Sequence, residues 1–166
     1  MSIIVQKFGG TSVANPERIK AAANIAIKTY NQGHQVVLVV SAMSGETNKL
    51  ITLCEEMMTS PELREYDSIV STGEQVTSGL MALSLINLGF KAKSYSGHQV
   101  KIETDGAHSK ARILNIEDTN LKKDLKNGFI AVVAGFQGVD KKGNITTLGR
   151  GGSDTTAVAL AAALKA

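Results

Sequence analysis

The sequence predicts an α/β protein, a three-layer α/β/α sandwich around a mainly parallel sheet. Two apolar runs carry most of that reading. Gln35–Val40 (QVVLVV) and residues 129–134 (FIAVVA) are continuous rather than alternating, which marks strands covered on both faces. Between these and the other apolar strands stand segments of helical period, so helices supply the crossovers that parallel strands need. Loops rich in glycine and hydroxyl side chains follow several strands, where ligands of open α/β sheets gather.

Residues 3–7 are short, apolar and β-branched, and they run into Gly9-Gly10-Thr11-Ser12, as a buried strand enters a tight loop. Asn15 is suited to cap a helix and Pro16 to open it. Ile19, Ala22, Ala23, Ala26, Ile27 and Tyr30 then keep helical spacing until Gly33. The strand at Gln35–Val40 ends in Ser41-Ala42-Met43-Ser44-Gly45. Helical periodicity covers residues 48–58 and 61–88. The second stretch is interrupted around Ser71-Thr72-Gly73-Glu74, resumed by Val76, Leu80, Leu83 and Ile86, and closed by Gly89. Residues 91–95 and 111–116 read as strands and 119–126 as a helix. Asp140-Lys141-Lys142-Gly143-Asn144 has turn chemistry, which predicts a hairpin over residues 136–148. That hairpin leads into Gly149-Arg150-Gly151-Gly152-Ser153-Asp154 and an alanine-rich helix over 155–166. No internal repeat or low-complexity linker divides the 166 residues, so one domain with one core is expected.

Composition narrows the function classes. Hydrophobic residues make up 43% and charged residues 20%, near the soluble globular average. No apolar run approaches membrane-spanning length and the first ten residues lack a signal-peptide pattern, so no membrane partner and a cytoplasmic location are expected. The single cysteine, Cys54, can form no internal disulfide, sits in a helical segment and is read as packing; no residues are assigned to a metal. A net charge of +3, spread lysines and no tryptophan suit a small anionic ligand and not nucleic acid. Lys122, Lys123 and Lys126 around Asp124 read as a solvated helical face.

Three loops combine glycine, hydroxyls and charge: residues 7–12, 41–48 and 149–155. In a parallel sheet they converge. Glycines let backbone N–H groups approach a ligand, a helix N-terminus adds partial positive charge, and lysine or arginine supplies the full charge that phosphate or carboxylate requires. Neither the P-loop pattern nor the GxGxxG fingerprint is present, and glycine loops by themselves also serve as plain turns.

The segment Val5-Gln6-Lys7-Phe8-Gly9-Gly10-Thr11-Ser12 resembles the signature of aspartokinases within the amino acid kinase family. Val39 to Gly45, Ser71-Thr72-Gly73-Glu74 and Gly149 to Ala157 are similar to later aspartokinase segments in order and spacing, so the resemblance covers essentially the whole chain. It implies an amino acid kinase-like fold and phosphorylation of the L-aspartate β-carboxylate by ATP with Mg, the entry to lysine, methionine and threonine synthesis. It further implies roles residue by residue. Lys7 and Asp154 are catalytic, Asp154 orienting Lys7. Lys7, Phe8, Gly9, Gly10, Ser12, Gly152 and Ser153 hold phosphate. Ser41, Thr47, Glu74 and Arg150 bind substrate, with Glu74 accepting the α-ammonium group and Arg150 a carboxylate. The plainer roles are capping for Ser153 and Asp154, a helix-dipole partner for Glu74 and a surface ion pair for Arg150.

Aspartokinase catalytic domains continue past this point with Thr-Asp and Asp-Pro-Arg elements on the nucleotide side and then regulatory ACT domains, none of which has a match in residues 1–166. The expectation is the amino-terminal part of a kinase domain, truncated after its first lobe, with an unpaired sheet edge and an uncovered apolar helix that favour a homo-oligomer or a carboxyl-terminal partner chain. Two alternatives stand beside the fragment or split subunit: a non-catalytic remnant that binds ligand or partner, and a sibling kinase acting on another small carboxylate.

Overall fold

A computed structural model describes residues 1–166. Strand β1 (Ile3–Phe8) passes through a single 3-10 turn (Gly10–Val13) into α1 (Pro16–Asn31), whose N-cap Asn15 accepts the Arg18 N–H through its side chain. Then follow β2 (Gln35–Val40), α2 (Glu46–Met57), α3 (Leu63–Val70), α4 (Thr72–Asn87) and β3 (Ala92–Tyr95). β4 (Ile102–Thr104), β5 (Ile113–Ile116), α5 (Thr119–Lys126), β6 (Ile130–Ala134), β7 (Gln137–Val139), β8 (Ile145–Thr147) and α6 (Gly152–Leu164) complete the chain.

The first sheet has the order β1-β2-β6-β3 and every pairing in it is parallel. Because side chains of a strand alternate between faces, the continuous apolar runs feed two cores at once. Val36, Leu38, Val40, Ile130 and Val132 pack with Ile19, Ala22, Ala23 and Ala26 of α1 and with Met81, Ala82 and Leu85 of α4. Val37, Val39, Ala131 and Val133 pack on the other face with Leu121 and Leu125 of α5 and Leu160 and Leu164 of α6. The three layers expected from the sequence are present. Cys54 is buried, as the packing reading required.

A second sheet was not anticipated. It has the order β5-β4-β7-β8, antiparallel at β4-β5 and β7-β8 and parallel at β4-β7. The hairpin over 136–148 is present as β7 and β8, whereas the strand read at 111–116 is confined to Ile113–Ile116 and belongs to this sheet. β4 was missed because three residues give no usable period and their partners are distant in sequence. Two helices begin earlier than read, α2 at Glu46 and α6 at Gly152. Asp124 does not share the lysine-rich solvated face: it bonds the Tyr95 hydroxyl and pairs with Lys93 at 2.9 Å, and these partners hold its carboxyl below the usual range.

β1 and β3 each pair on one side only. Val76, Leu80, Leu83 and Ile86 of α4 form an exposed apolar stripe, and Val158 of α6 is exposed. No helix is long and apolar enough to cross a membrane.

Candidate active site

The carboxyl ends of β1, β2 and β6 lie side by side, so the loops leaving them meet. There they line a cavity of about 710 Å³ together with the segment entering α6. All three glycine- and hydroxyl-rich loops reach it: Gly10 and Thr11 from the first, Ser41 to Asn48 from the second, and Gly149 to Asp154 from the third.

Close packing of these loops depends on missing side chains. A Cβ on Gly9 would lie 3.3 Å from Lys7 Nζ, and one on Gly152 would lie 2.6 Å from the Phe136 ring. Glycine at 9 thus leaves room for the Lys7 ammonium, and glycine at 152 lets α6 start against Phe136. Phe136 itself has φ 74, a left-handed conformation rare for a bulky residue, and its N–H donates to Thr156 Oγ1 at 3.1 Å.

Helix ends dominate the electrostatics. The N-cap positions of α2 and α6 are Gly45 and Gly151, both left-handed, and neither start carries a side-chain cap. The first N–H of each, Glu46 and Gly152, is donated to the Met43 and Gly149 carbonyls at 3.0 and 3.1 Å, the next N–H groups have no partner within the helix, and residues of both first turns line the cavity. Ser153 and Asp154 are consequently not caps; the cap position belongs to Gly151 and both residues lie inside the first turn. Lys7 Nζ pairs with Asp154 Oδ1 at 2.8 Å, which places a fixed ammonium beside the start of α6.

Glu74 stands apart from this positive surround. It lies in the first turn of α4 and is 3% exposed. Its Oε1 accepts the Ala42 N–H at 3.3 Å, while Oε2 is buried without a hydrogen-bond partner. Burial raises its carboxyl from an ordinary 4.5 to about 7, against the lowering effect of its own backbone N–H and that of Ala42. A buried acceptor of this kind is satisfied by an incoming cation. Arg150 lies on the same cavity, is exposed, and engages no acid among the ion pairs of the molecule, so the surface ion-pair role does not describe it. The cavity therefore brings together a carboxyl with one unpartnered oxygen, a guanidinium outside any ion pair, and two helix starts without side-chain caps.

The profile described as Amino acid kinase family matches residues 2–166. The chain belongs to the amino acid kinase family. A curated aspartokinase of Pseudomonas aeruginosa is 63% identical over 166 residues, which cover all of this chain and 40% of that protein. A crystal structure of aspartate kinase from Synechocystis covers 99% of this chain and 27% of its own at 46% identity and TM-score 0.83. That of E. coli aspartokinase III in complex with aspartate and ADP covers 99% of this chain and 47% of its own at 27% identity and TM-score 0.89. The chain spans about 40% of the length of the curated relatives it matches.

In this member of the family the structure brings together most residues singled out in the sequence. Ser41, Thr47, Glu74, Arg150, Gly152, Ser153, Asp154 and Gly10 line the cavity, and Lys7 joins it through Asp154. Three others are not in its lining: Gly9, which lies against the Lys7 ammonium, Phe8 and Ser12. Phe8 is buried in the core between the sheet and α1, and Ser12 is exposed in the 3-10 turn, its N–H donated to the Gly9 carbonyl. Sequence reasoning missed Tyr66, Ser109, Phe136 and Thr147, which come from α3, the second sheet and its loops. One signal was available. Asp67 occupies the inward position of the α3 stripe, three residues before buried Val70, and an acid at a core position asks for an explanation.

Proposed function

We propose that this chain is the aspartate-binding, amino-terminal part of an aspartokinase catalytic domain and that it takes part in transfer of the ATP γ-phosphoryl group to the L-aspartate β-carboxylate. The observation that carries this reading is the pairing of Glu74, with its orphaned buried oxygen, and unpaired Arg150 across one cavity. An amino acid offers the matching ammonium and carboxylate, and Arg150 can hold a carboxylate through two parallel hydrogen bonds. Ser41 and Thr47 add hydroxyls to the same wall.

The chemistry needs no base. A carboxylate with pKa near 4 is already ionised at neutral pH. One of its oxygens attacks the γ-phosphorus, the bond from that phosphorus to the β-γ bridging oxygen breaks, and ADP leaves with the electron pair. The barrier is therefore mainly electrostatic, an anion approaching a polyanion, and it is lowered by positioned positive charge. Lys7, held by Asp154, supplies that charge, with the amides at Gly9, Gly10 and Ser153 as further donors, while the Gly152 N–H is donated to the Gly149 carbonyl at 3.1 Å. ATP is used with Mg in this reading, and the protein's own contribution is assigned to Lys7 and the amides. The product serves as the entry to lysine, methionine and threonine synthesis in the cytoplasm. The α4 stripe and the one-sided β1 and β3 edges support association with another copy or with a carboxyl-terminal partner segment.

Aspartyl hydroxamate formation from L-aspartate, ATP and hydroxylamine tests the reading. It is measured on the chain alone and on the chain supplemented with the remaining segment of an aspartokinase. Activity with aspartate and not with other amino acids is expected in the supplemented preparation. Absence of product there would leave a ligand-binding remnant.

A further inference from the structure

We infer that Asp67 is a positioning residue for the amino acid pocket, fixing from beneath the two segments that carry Ser109 and Thr147 into its wall. This inference rests on the aspartate-binding reading given above. Asp67 lies on α3 with no exposed surface, and it lines no part of the cavity. Its Oδ1 accepts the Thr147 hydroxyl at 2.6 Å and the Ser109 N–H at 3.1 Å. Its Oδ2 accepts the Thr147 N–H, the Ser109 N–H and His108 Nδ1, each at 3.0 Å. Every partner is a donor.

That set selects a carboxylate. Burying a charge is costly unless donors compensate it, and an apolar side chain would fill the same space at lower cost, as Val70 does one turn later on the same face. What the carboxylate adds is orientation, because it ties residues 42 and 80 positions away in sequence to one point. The tie continues toward Arg150. Ser109 has φ 68, and its carbonyl would lie 3.2 Å from a Cβ on Gly149, itself at φ 81, so the Gly149 turn is seated on the residue that Asp67 holds. The Ala111 N–H donates to the Thr147 carbonyl at 2.9 Å and closes the loop onto β8. Arg150 follows three residues after Thr147, so misplacing β8 misplaces the guanidinium.

Asn at position 67 would set an NH2 group against backbone N–H donors and release one of the two segments. Asp67→Asn in the active enzyme is expected to raise the aspartate KM by about tenfold or more while kcat and the ATP KM stay within about threefold, since the loss is one of substrate placement. Amide hydrogen exchange at Ser109 and Thr147 should quicken in the same variant, with β2 and β6 unaffected. His108→Ala removes a single donor and leaves both main-chain ties, so it tests the same path without the risk of misfolding. Its aspartate KM should rise about two- to fivefold. An unchanged aspartate KM in a folded variant, or a fall in kcat alone, would overturn the positioning role. Wild-type enzyme that does not saturate with aspartate would instead defeat the underlying reading, and this inference with it.

Discussion

Replacing Glu74 by Gln isolates the group on which the amino acid reading depends. In the folded chain this carboxyl is raised from 4.5 to about 7 by burial, so the native state binds a proton more tightly than the unfolded state does. Ionised Glu74 therefore opposes folding. The penalty is absent below about pH 4.5, grows as pH rises through the interval to 7, and is complete above it. At about 1.4 kcal/mol per pKa unit it amounts to roughly 3 kcal/mol by pH 8. Gln keeps the acceptor for the Ala42 N–H and carries no charge at any pH, so the variant escapes this term. Its stability relative to wild type, without ligand, should rise by about 3 kcal/mol between pH 4.5 and 8, or about 6–12 °C in Tm for a chain of this size. Thermal and urea unfolding of both proteins across that range measure it. The same substitution should weaken aspartate binding, because the amide cannot neutralise an ammonium. A stability difference that does not change with pH would refute the raised carboxyl and the argument built on it.

Two further substitutions separate binding from turnover. Arg150→Ala should raise the aspartate KM roughly 10- to 100-fold, from about 1.5–3 kcal/mol per charge-assisted hydrogen bond, and unchanged aspartate saturation in the hydroxamate assay would contradict that role. Lys7→Ala should lower kcat by on the order of 100-fold or more with a smaller effect on aspartate KM, as for a donor aimed at developing charge. Weaker ATP binding with normal turnover would assign it to the ground state instead.

Legibility in the sequence followed the range of the interactions. β2 and β6 were readable because strands buried on both faces must be apolar at every position, and α1 because Asn15, Pro16 and a regular stripe lie within one segment. β4 was not, and β5 was read as a strand without its place in a second sheet, since their pairing is settled by residues far away in the chain. The site divides in the same way. Lys7, Glu74, Arg150 and Asp154 sit at strand ends, helix starts and loops within segments rich in glycine, hydroxyls and charge. Phe8 was drawn in by its place in the motif, although its side chain serves the core. Ser109 and Thr147 are joined to each other by Asp67, a tertiary tie whose one local trace is an acid on the inward face of α3.

The central claim is that one cavity reads an amino acid by both its ammonium and its carboxylate. Calorimetric titration of L-aspartate against succinate, which keeps both carboxylates and lacks the amino group, tests it most directly. Aspartate should bind at least about tenfold more tightly, given more than about 1.4 kcal/mol for a charged hydrogen bond to a buried acid. Its binding near pH 7 should release a proton as Glu74 ionises against the ammonium, seen as a dependence of heat on buffer. Equal affinity for succinate, or binding of aspartate without proton release, would contradict the account.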